Sequence, residues 1–307
     1  MPTPLPSKGM VLQTTEFADS SHQFTPEVMW QMGRIGGYHL SPEAQKSVYG
    51  VTYYSVEKNR SRSVIYASTP SADSEPALLT SSSASEYAPS FLPGTDKIVF
   101  LAPEENGSGA MQIWSMNADG TGRKQVSFEA EGVDDYLFSP CGNKVILIKS
   151  VAHEASIQKN DEDLALSTGI VANDLMYKHW DHYTKSAPHP FVADFDGNKV
   201  SGAKDLLEGE PYESPMLPFG GAEQLAWSPD GKQIAYTCRK LSGIDYAIST
   251  DSDIFLYDIE SGETKNLCKP EGYVRPACDP TRSLKNQAVN QFQEDVNAGY
   301  DQNPQFS

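Results

Sequence analysis

The stretch Ala226-Trp-Ser-Pro-Asp-Gly-Lys-Gln-Ile-Ala-Tyr236 decides the fold, because the chain repeats its pattern. An aromatic or apolar residue is followed by Ser-Pro, a turn with Gly, a Lys and then an apolar strand. Three more copies, each less exact than the one before, are Leu137–Leu147, Ser90–Phe100 and Tyr38–Tyr49, and a further one opens at Phe306. The residues that precede the Ser of each copy, or Leu92 in its place, are Leu40, Phe91, Phe138, Trp227 and Phe306, which lie 51, 47, 89 and 79 residues apart. The chain is therefore built from repeats.

Each copy of the pattern predicts a β-hairpin. Proline sets the backbone angle that enters the turn, and Gly supplies the positive φ that a tight turn needs. A second strand pair with its own turn follows, as in Gln112–Val126, Pro190–Val200 and Asp253–Leu267. Four short strands in about 45 residues are typical of one β-propeller blade. We therefore predict an all-β fold, a β-propeller with about four four-stranded blades and the start of an incomplete fifth.

The spacing of the repeats also predicts the domain organisation. Two intervals exceed the length of one blade, and the excess predicts partly helical insertions at 151–188 and 269–302. The incomplete propeller would span 25–307, and residues 1–24 would form a disordered leader.

A short helix is predicted to open the propeller. Thr25 is a suitable N-cap, and Pro26 fits the first helical position. The apolar residues that follow have helical spacing over about three turns: Val28, Met29, Met32 and Ile35.

The composition narrows the function. The chain has 41 Asp and Glu against 24 Lys and Arg, a formal charge of −17. Proteins meet nucleic-acid phosphates and anionic lipids with clustered Lys and Arg, so this charge argues against both partners. No run approaches the roughly 18 apolar residues of a membrane-spanning helix. The first twenty residues also lack the charged start and apolar stretch of a signal peptide.

Four cysteines offer neither a disulfide scaffold nor a zinc site, because they are few and scattered. They are Cys141, Cys238, Cys268 and Cys278. A Cys268–Cys278 bridge and four free thiols are equal alternatives on this spacing, so cysteine usage leaves the compartment open.

The first insertion carries the predicted substrate-binding residues, since loops on a rigid scaffold often hold function. These residues are Asp174, Tyr177, Trp180 and Asp181. His179 and His182 are spaced to share one helical face as metal ligands, but spacing reveals no third ligand, and we predict no metal site. Packing of this aromatic segment on the propeller is the structural alternative.

The sequence offers no catalytic residue. It contains no Gly-x-Ser-x-Gly nucleophile elbow and no Gly-rich phosphate loop, and its six histidines have no recognisable nucleophile partner. We predict that the chain alone is non-catalytic and binds no cofactor.

The repeat Trp227–Lys232, with Ile254–Asp258, resembles the WD-like repeats of prolyl oligopeptidase-family serine peptidases and also the periplasmic propeller of the Tol–Pal system. Further stretches resemble the dipeptidyl-peptidase and acylaminoacyl-peptidase-like members of that peptidase family. They are Phe24–Ile35, Met176–His182 with His189–Gly197, and Gly299–Ser307. The resemblance covers residues 22–307.

This resemblance implies a two-domain serine exopeptidase that releases dipeptides, or blocked residues, from peptide amino termini. The propeller would cover an α/β-hydrolase domain, gate access to it and help to bind the substrate. That hydrolase domain, with its Ser, Asp and His, is absent from the sequence, so no catalytic residue carries over.

The resemblance also implies partners and a location. The expected partners are a peptide substrate, the missing hydrolase domain and a homodimer formed through the full-length protein, and the parent protein would be periplasmic or secreted. The alternative is a self-standing periplasmic propeller that binds protein partners, as in the Tol–Pal system.

Overall fold

The described residues of the chain form four antiparallel sheets of four strands each. The structure is a computed structural model that describes residues 24–269 and Pro304, apart from 44, 70, 72–74, 81–83, 106, 108, 153–174, 176–183 and 185. The four sheets confirm the predicted all-β class with four-stranded blades. The predicted start of a fifth blade lies outside the described residues except for Pro304, and the predicted leader lies outside them except for Phe24.

The strands follow one another in chain order within every sheet. The first sheet contains β1 (Arg34–Leu40), β2 (Ser47–Ser55), β3 (Arg60–Ser68) and β4 (Ala77–Leu78). The second contains β5 (Tyr87–Phe91), β6 (Ile98–Pro103), β7 (Met111–Met116) and β8 (Lys124–Gln125). The third contains β9 (Asp135–Phe138), β10 (Lys144–Ala152), β11 (Ser186–Phe195) and β12 (Val200–Asp205). The fourth contains β13 (Leu225–Trp227), β14 (Gln233–Cys238), β15 (Asp253–Asp258) and β16 (Thr264–Asn266).

The chain divides into two compact units, and the division runs through the third sheet. The first unit consists of residues 1–138 and 195–201, and it holds the first two sheets and β9. The second unit consists of residues 139–194 and 202–307, and it holds β10, most of β11 and β12, and the whole fourth sheet.

The repeated sequence pattern forms the same turn in all four sheets. In each copy a backbone N–H donates to the carbonyl oxygen five residues later, over 2.8–2.9 Å. The pairs are Ser41 with Lys46, Leu92 with Lys97, Ser139 with Lys144, and Ser228 with Gln233. Gly142 and Gly231 have φ of 68° and 69°, a conformation that a side chain disfavours. The predicted hairpin at the repeat is therefore confirmed, and glycine is required in these two copies.

The serine of the pattern also has a structural role. The Oγ of Ser228 accepts the backbone N–H of Gln233 over 2.9 Å, and the Oγ of Ser139 accepts that of Lys144 over 3.1 Å. A side-chain oxygen that satisfies a backbone donor stabilises a tight turn. These serines therefore recur for turn geometry.

Apolar side chains from alternate strand positions form the core of the first unit. The cluster draws on both of its complete sheets, and its members are Val48, Ile65, Phe91, Ile98, Phe100, Ala102, Trp114 and Met116. In the second unit, the rings of Tyr236 and Phe255 stack at 5.5 Å in the fourth sheet. Burial of these side chains supplies the main free energy of folding.

The opening helix is shorter than predicted. Helix α1 spans Pro26–Gln31, and the Oγ1 of Thr25 caps it by accepting the N–H of Val28 over 3.3 Å. The prediction of three turns is wrong, because Ile35 lies in β1, paired with Val51 of β2. The glycines around Ile35 disfavour a helix, and the pairing with β2 satisfies the backbone groups of this segment instead.

The predicted insertions fall largely outside the described residues. Strand β10 extends to Ala152 and β11 begins at Ser186, so both ends of the predicted 151–188 segment are strand. Of the predicted 269–302 segment, only Lys269 is described.

Glu86 joins the two complete sheets of the first unit. Its side chain is 1% exposed and forms an ion pair with Arg123. Its backbone N–H donates to the carbonyl of Ser63 in β3 over 3.0 Å. The guanidinium of Arg123 lies 5.0 Å from the ring centre of Phe100 and 4.7 Å from that of Trp114, over the core of the second sheet. Glu86 thus contacts both sheets, the first through its backbone N–H and the second through its buried carboxylate.

Replacement of Glu86 by Gln should lower the free energy of unfolding by about 1–3 kcal/mol, because Arg123 loses its carboxylate while the shape is kept. Urea unfolding of the purified chain measures this change. Glu105→Gln, on the exposed turn between β6 and β7, is the matched control and should change stability by less than about 0.5 kcal/mol. Equal effects of the two substitutions would contradict the role of Glu86.

Candidate functional site

The long links of the third and fourth sheets lie at one end of each sheet. Strand direction alternates in an antiparallel sheet, so the β10–β11 link and the start of the β12–β13 link share one end of the third sheet. By the same rule the finish of the β12–β13 link and the β14–β15 link share one end of the fourth sheet, and the hydrogen bond between Tyr246 and Glu213 joins these two links. The three links comprise residues 153–185, 206–224 and 239–252, far longer than an ordinary hairpin loop. Long loops on a rigid sheet are where binding residues concentrate. This end of the second unit is therefore the candidate site.

Hydrogen bonds hold the second of these links against the start of β11. The backbone N–H of Leu206 donates to the carbonyl of Pro190 over 3.0 Å, and that of Ser214 to the carbonyl of Pro188 over 2.9 Å. The link then ends in a 3₁₀ helix, Ala222–Gln224, that leads directly into β13. Its first half is thereby fixed beside the strand that follows the 153–185 link.

The third link carries a short helix, α2 (Gly243–Ile248), that is tied to the second link. The hydroxyl of Tyr246 donates to Oε1 of Glu213 over 2.7 Å. Both side chains are buried, with Glu213 2% and Tyr246 8% exposed. A buried carboxylate is costly unless it is hydrogen-bonded, so this contact fixes the position of α2.

Two cations complete what we call the link cluster, defined as Glu210, Glu213, Arg239, Lys240 and Tyr246. The guanidinium of Arg239 lies 4.8 Å from the ring centre of Tyr246. The Nζ of Lys240 lies 2.6 Å from Oε2 of Glu210. The cluster therefore contains one ion pair, Glu210 with Lys240, and one aromatic ring, Tyr246, that contacts both Glu213 and Arg239.

The two carboxylates of the link cluster differ in access. The Glu210 side chain is 35% exposed, whereas Glu213 is buried. Burial raises the pKa of the nearby Tyr212, and the negative charge of Glu210 raises it further. Glu210 is thus the partly exposed carboxylate of the cluster, with its Oε2 buried against Lys240, and Glu213 is a positioning residue.

A second ion-pair group stabilises the fourth sheet beside this end. The Nζ of Lys269 lies 2.9 Å from Oδ2 of Asp251 and 2.8 Å from Oδ2 of Asp253. Burial by itself lowers the pKa of Lys269, but the hydrogen bonds and charges of Asp253 and Asp251 outweigh it and raise the pKa. The group connects the chain before β15 with the chain after β16.

All the substrate-binding residues predicted from sequence lie outside the described residues: Asp174, Tyr177, Trp180 and Asp181. The same holds for His179, His182 and Cys278, so the metal and disulfide alternatives stay untested. Within the part of the chain that the structure describes, no three His, Cys, Asp or Glu side chains are grouped to hold a metal ion. No described helix has the length and apolar character needed to cross a membrane.

Sequence patterns did not predict the link cluster, although one feature of the chain marks it. Strands β14 and β15 are adjacent and antiparallel, yet residues 239–252 separate them. Such a pair is ordinarily joined by two to five residues, so the extra length marks a segment with its own role.

Comparison with known proteins identifies the kind of scaffold that carries this site. Dipeptidyl-peptidase 5 of Porphyromonas endodontalis is 36% identical over 253 residues, which cover 82% of this chain and 36% of that protein. The chain belongs to the prolyl oligopeptidase family, as a propeller portion. It spans about a third of the length of the curated relatives it matches. No protein-family model matches it.

Solved structures agree on the propeller fold of this family member. The acylaminoacyl peptidase of Pyrococcus horikoshii is similar with a TM-score of 0.55 and 16% identity, over 78% of this chain and 33% of that one. A TolB structure from Acinetobacter baumannii has a TM-score of 0.43 and 19% identity, over 76% of this chain and 43% of that one. A likeness at that level carries no argument for the Tol–Pal alternative.

Replacement of Tyr246 by Phe should lower the free energy of unfolding by about 1–3 kcal/mol, because the buried Glu213 loses a hydrogen-bond donor. Urea unfolding measures the change. Tyr38→Phe is the matched control, since the Tyr38 side chain is 73% exposed in β1, and its effect should stay below about 0.5 kcal/mol. A Tyr246→Phe variant as stable as the control would show that this bond does not hold α2 in place.

Proposed function

We propose that this chain is the substrate-admitting propeller of a serine-type exopeptidase that releases dipeptides, or blocked residues, from peptide amino termini. The observation that carries the proposal is the 36% identity to a dipeptidyl-peptidase 5 over 82% of the chain. Hydrolysis is assigned to an α/β-hydrolase domain outside this sequence, because the sequence contains no Gly-x-Ser-x-Gly nucleophile elbow.

The proposed role of the link cluster is to hold the peptide amine. A peptide with a free amino terminus carries a positive charge, and Glu210 is the partly exposed carboxylate of the cluster that would meet it. Lys240 neutralises Glu210 without substrate, so the incoming ammonium would take over part of that ion pair. Glu213 and Tyr246 would keep the site in place from beneath. The hydrogen bond between Glu213 and Tyr246 orders the two links in advance, and this lowers the entropic cost of ordering them when a peptide binds.

The 153–185 link contains the residues that the sequence predicts to bind substrate. Asp174, Tyr177, Trp180 and Asp181 belong to a link that leaves β10 at the same end as the link cluster. We propose that these links together form the entrance that restricts access to short, unfolded peptides. Export of the parent protein to the periplasm or medium is part of the same proposal, and cell fractionation would check it.

The amine-binding role is tested in the full-length parent protein with Glu210→Gln. We expect the unmodified protein to cleave a dipeptidyl-coumarin substrate that has a free amino terminus. The variant should have a KM about tenfold higher and an unchanged kcat, because the substitution removes a contact made equally in the ground state and the transition state. An amino-acetylated substrate of the same sequence lacks the charge, so its KM should not change. Glu263→Gln, in the exposed turn between β15 and β16, is the matched control.

Each outcome of this assay has a distinct meaning. A parent protein that cleaves neither substrate overturns the exopeptidase proposal. Cleavage with an unchanged KM in Glu210→Gln retains the exopeptidase and removes Glu210 as the amine contact. Release of the acetylated first residue from the second substrate leaves an aminoacyl-coumarin, so mass spectrometry of the products decides between dipeptidyl and acylaminoacyl release. The chain of 307 residues by itself should hydrolyse neither substrate.

A further inference from the structure

A separate pocket lies in the first unit, between α1 and the hairpin that joins β2 to β3. Its volume is about 360 Å³, the size of a small-ligand site. One wall is apolar or aromatic, and the other is polar. The residues that line it include Trp30, Tyr54, Val56, Ser55, Arg60 and Ser61. None of them belongs to the link cluster.

The aromatic wall of this pocket is held in place before any ligand binds. The rings of Trp30 and Tyr54 meet edge to face, with their centres 5.5 Å apart. The guanidinium of Arg34 lies 4.8 Å from the ring centre of Trp30 and 4.4 Å from that of Tyr54. Cation–π contacts of this kind restrain aromatic side chains that would otherwise rotate. A restrained wall costs less entropy when a ligand packs on it.

The charge at this pocket is positive, in contrast to the acidic chain. Within the described ranges, neither Arg34 nor Arg60 forms an ion pair with a carboxylate. The sequence has 41 acidic and 24 basic residues, so an arginine that is not paired with a carboxylate is unexpected, and two of them lie beside this pocket. A guanidinium binds a carboxylate with two parallel hydrogen bonds, and the hydroxyls of Ser55 and Ser61 offer further donors.

We propose that this pocket binds small carboxylates with an aromatic or branched apolar body. The apolar body packs on Trp30 and Val56, and the carboxylate pairs with Arg60. Such a ligand is either a free acid the size of a blocked amino acid or the carboxyl terminus of a short peptide. The inference is independent of the proposed function, which concerns the opposite end of a peptide and other residues.

Isothermal titration calorimetry of the purified chain tests the proposal with three probes. N-acetyl-L-phenylalanine should bind, and N-acetyl-L-phenylalanine amide, which lacks the carboxylate, should bind about tenfold more weakly. Gly-Gly-Phe, with a free carboxyl terminus, distinguishes the two sources of ligand. If N-acetyl-L-phenylalanine and Gly-Gly-Phe both bind, the pocket accepts the carboxyl termini of peptides. If only N-acetyl-L-phenylalanine binds, the pocket is restricted to acids of the size of one blocked amino acid.

Two variants assign the contacts. Arg60→Gln should weaken binding of the acid about tenfold and leave the amide unchanged, whereas Trp30→Ala should weaken both. Lys265→Gln, an exposed charge removal in β16 of the second unit, is the matched control and should leave the affinity unaltered. Equal affinity for acid and amide, an Arg60→Gln variant that binds the acid normally, or no binding of the acid at all would each overturn the proposal.

Discussion

The alternation of strand direction is the constraint on which this structure depends. Each sheet satisfies its backbone groups by antiparallel pairing of consecutive strands, so every second connection returns to the same end. In the third and fourth sheets one end receives the tight turns of the repeated pattern, and the other receives the links 153–185, 206–224 and 239–252. Within each of these sheets, antiparallel hydrogen bonding therefore separates the tight turns from the long links.

Buried polar contacts then fix elements that apolar packing leaves adjustable. Apolar burial is non-directional and would tolerate small shifts of one sheet on another. Glu86 with Arg123 in the first unit, and Glu213 with Tyr246 in the second, allow few geometries because an unpaired buried carboxylate is costly. In the second unit this requirement places a helix beside a link. In the same pair of links, the partly exposed Glu210 forms an ion pair with Lys240.

Much of the fold was predictable from local turn chemistry. The Ser-Pro pattern marked four hairpins, because proline, glycine and the serine side chain each act within a few residues of the turn. The opening helix shows the limit of such reasoning. Its N-cap at Thr25 was correct, but the apolar spacing to Ile35 was read as helix although this residue pairs with Val51 in a sheet. Strand pairing between distant residues overrode the local pattern.

The sequence by itself determined the repeat, the four-stranded blades, the acidic charge and the likeness to prolyl oligopeptidase-family propellers. These features depend on residues close together in the chain, or on composition. Only the tertiary structure decided which charges meet: Glu213 finds Tyr246, and Lys240 finds Glu210, across links that no motif marks. It also placed Trp30 beside Tyr54 and Arg60 around one pocket. Side chains far apart in sequence come together only when the sheets pack, so no local pattern encodes their contact.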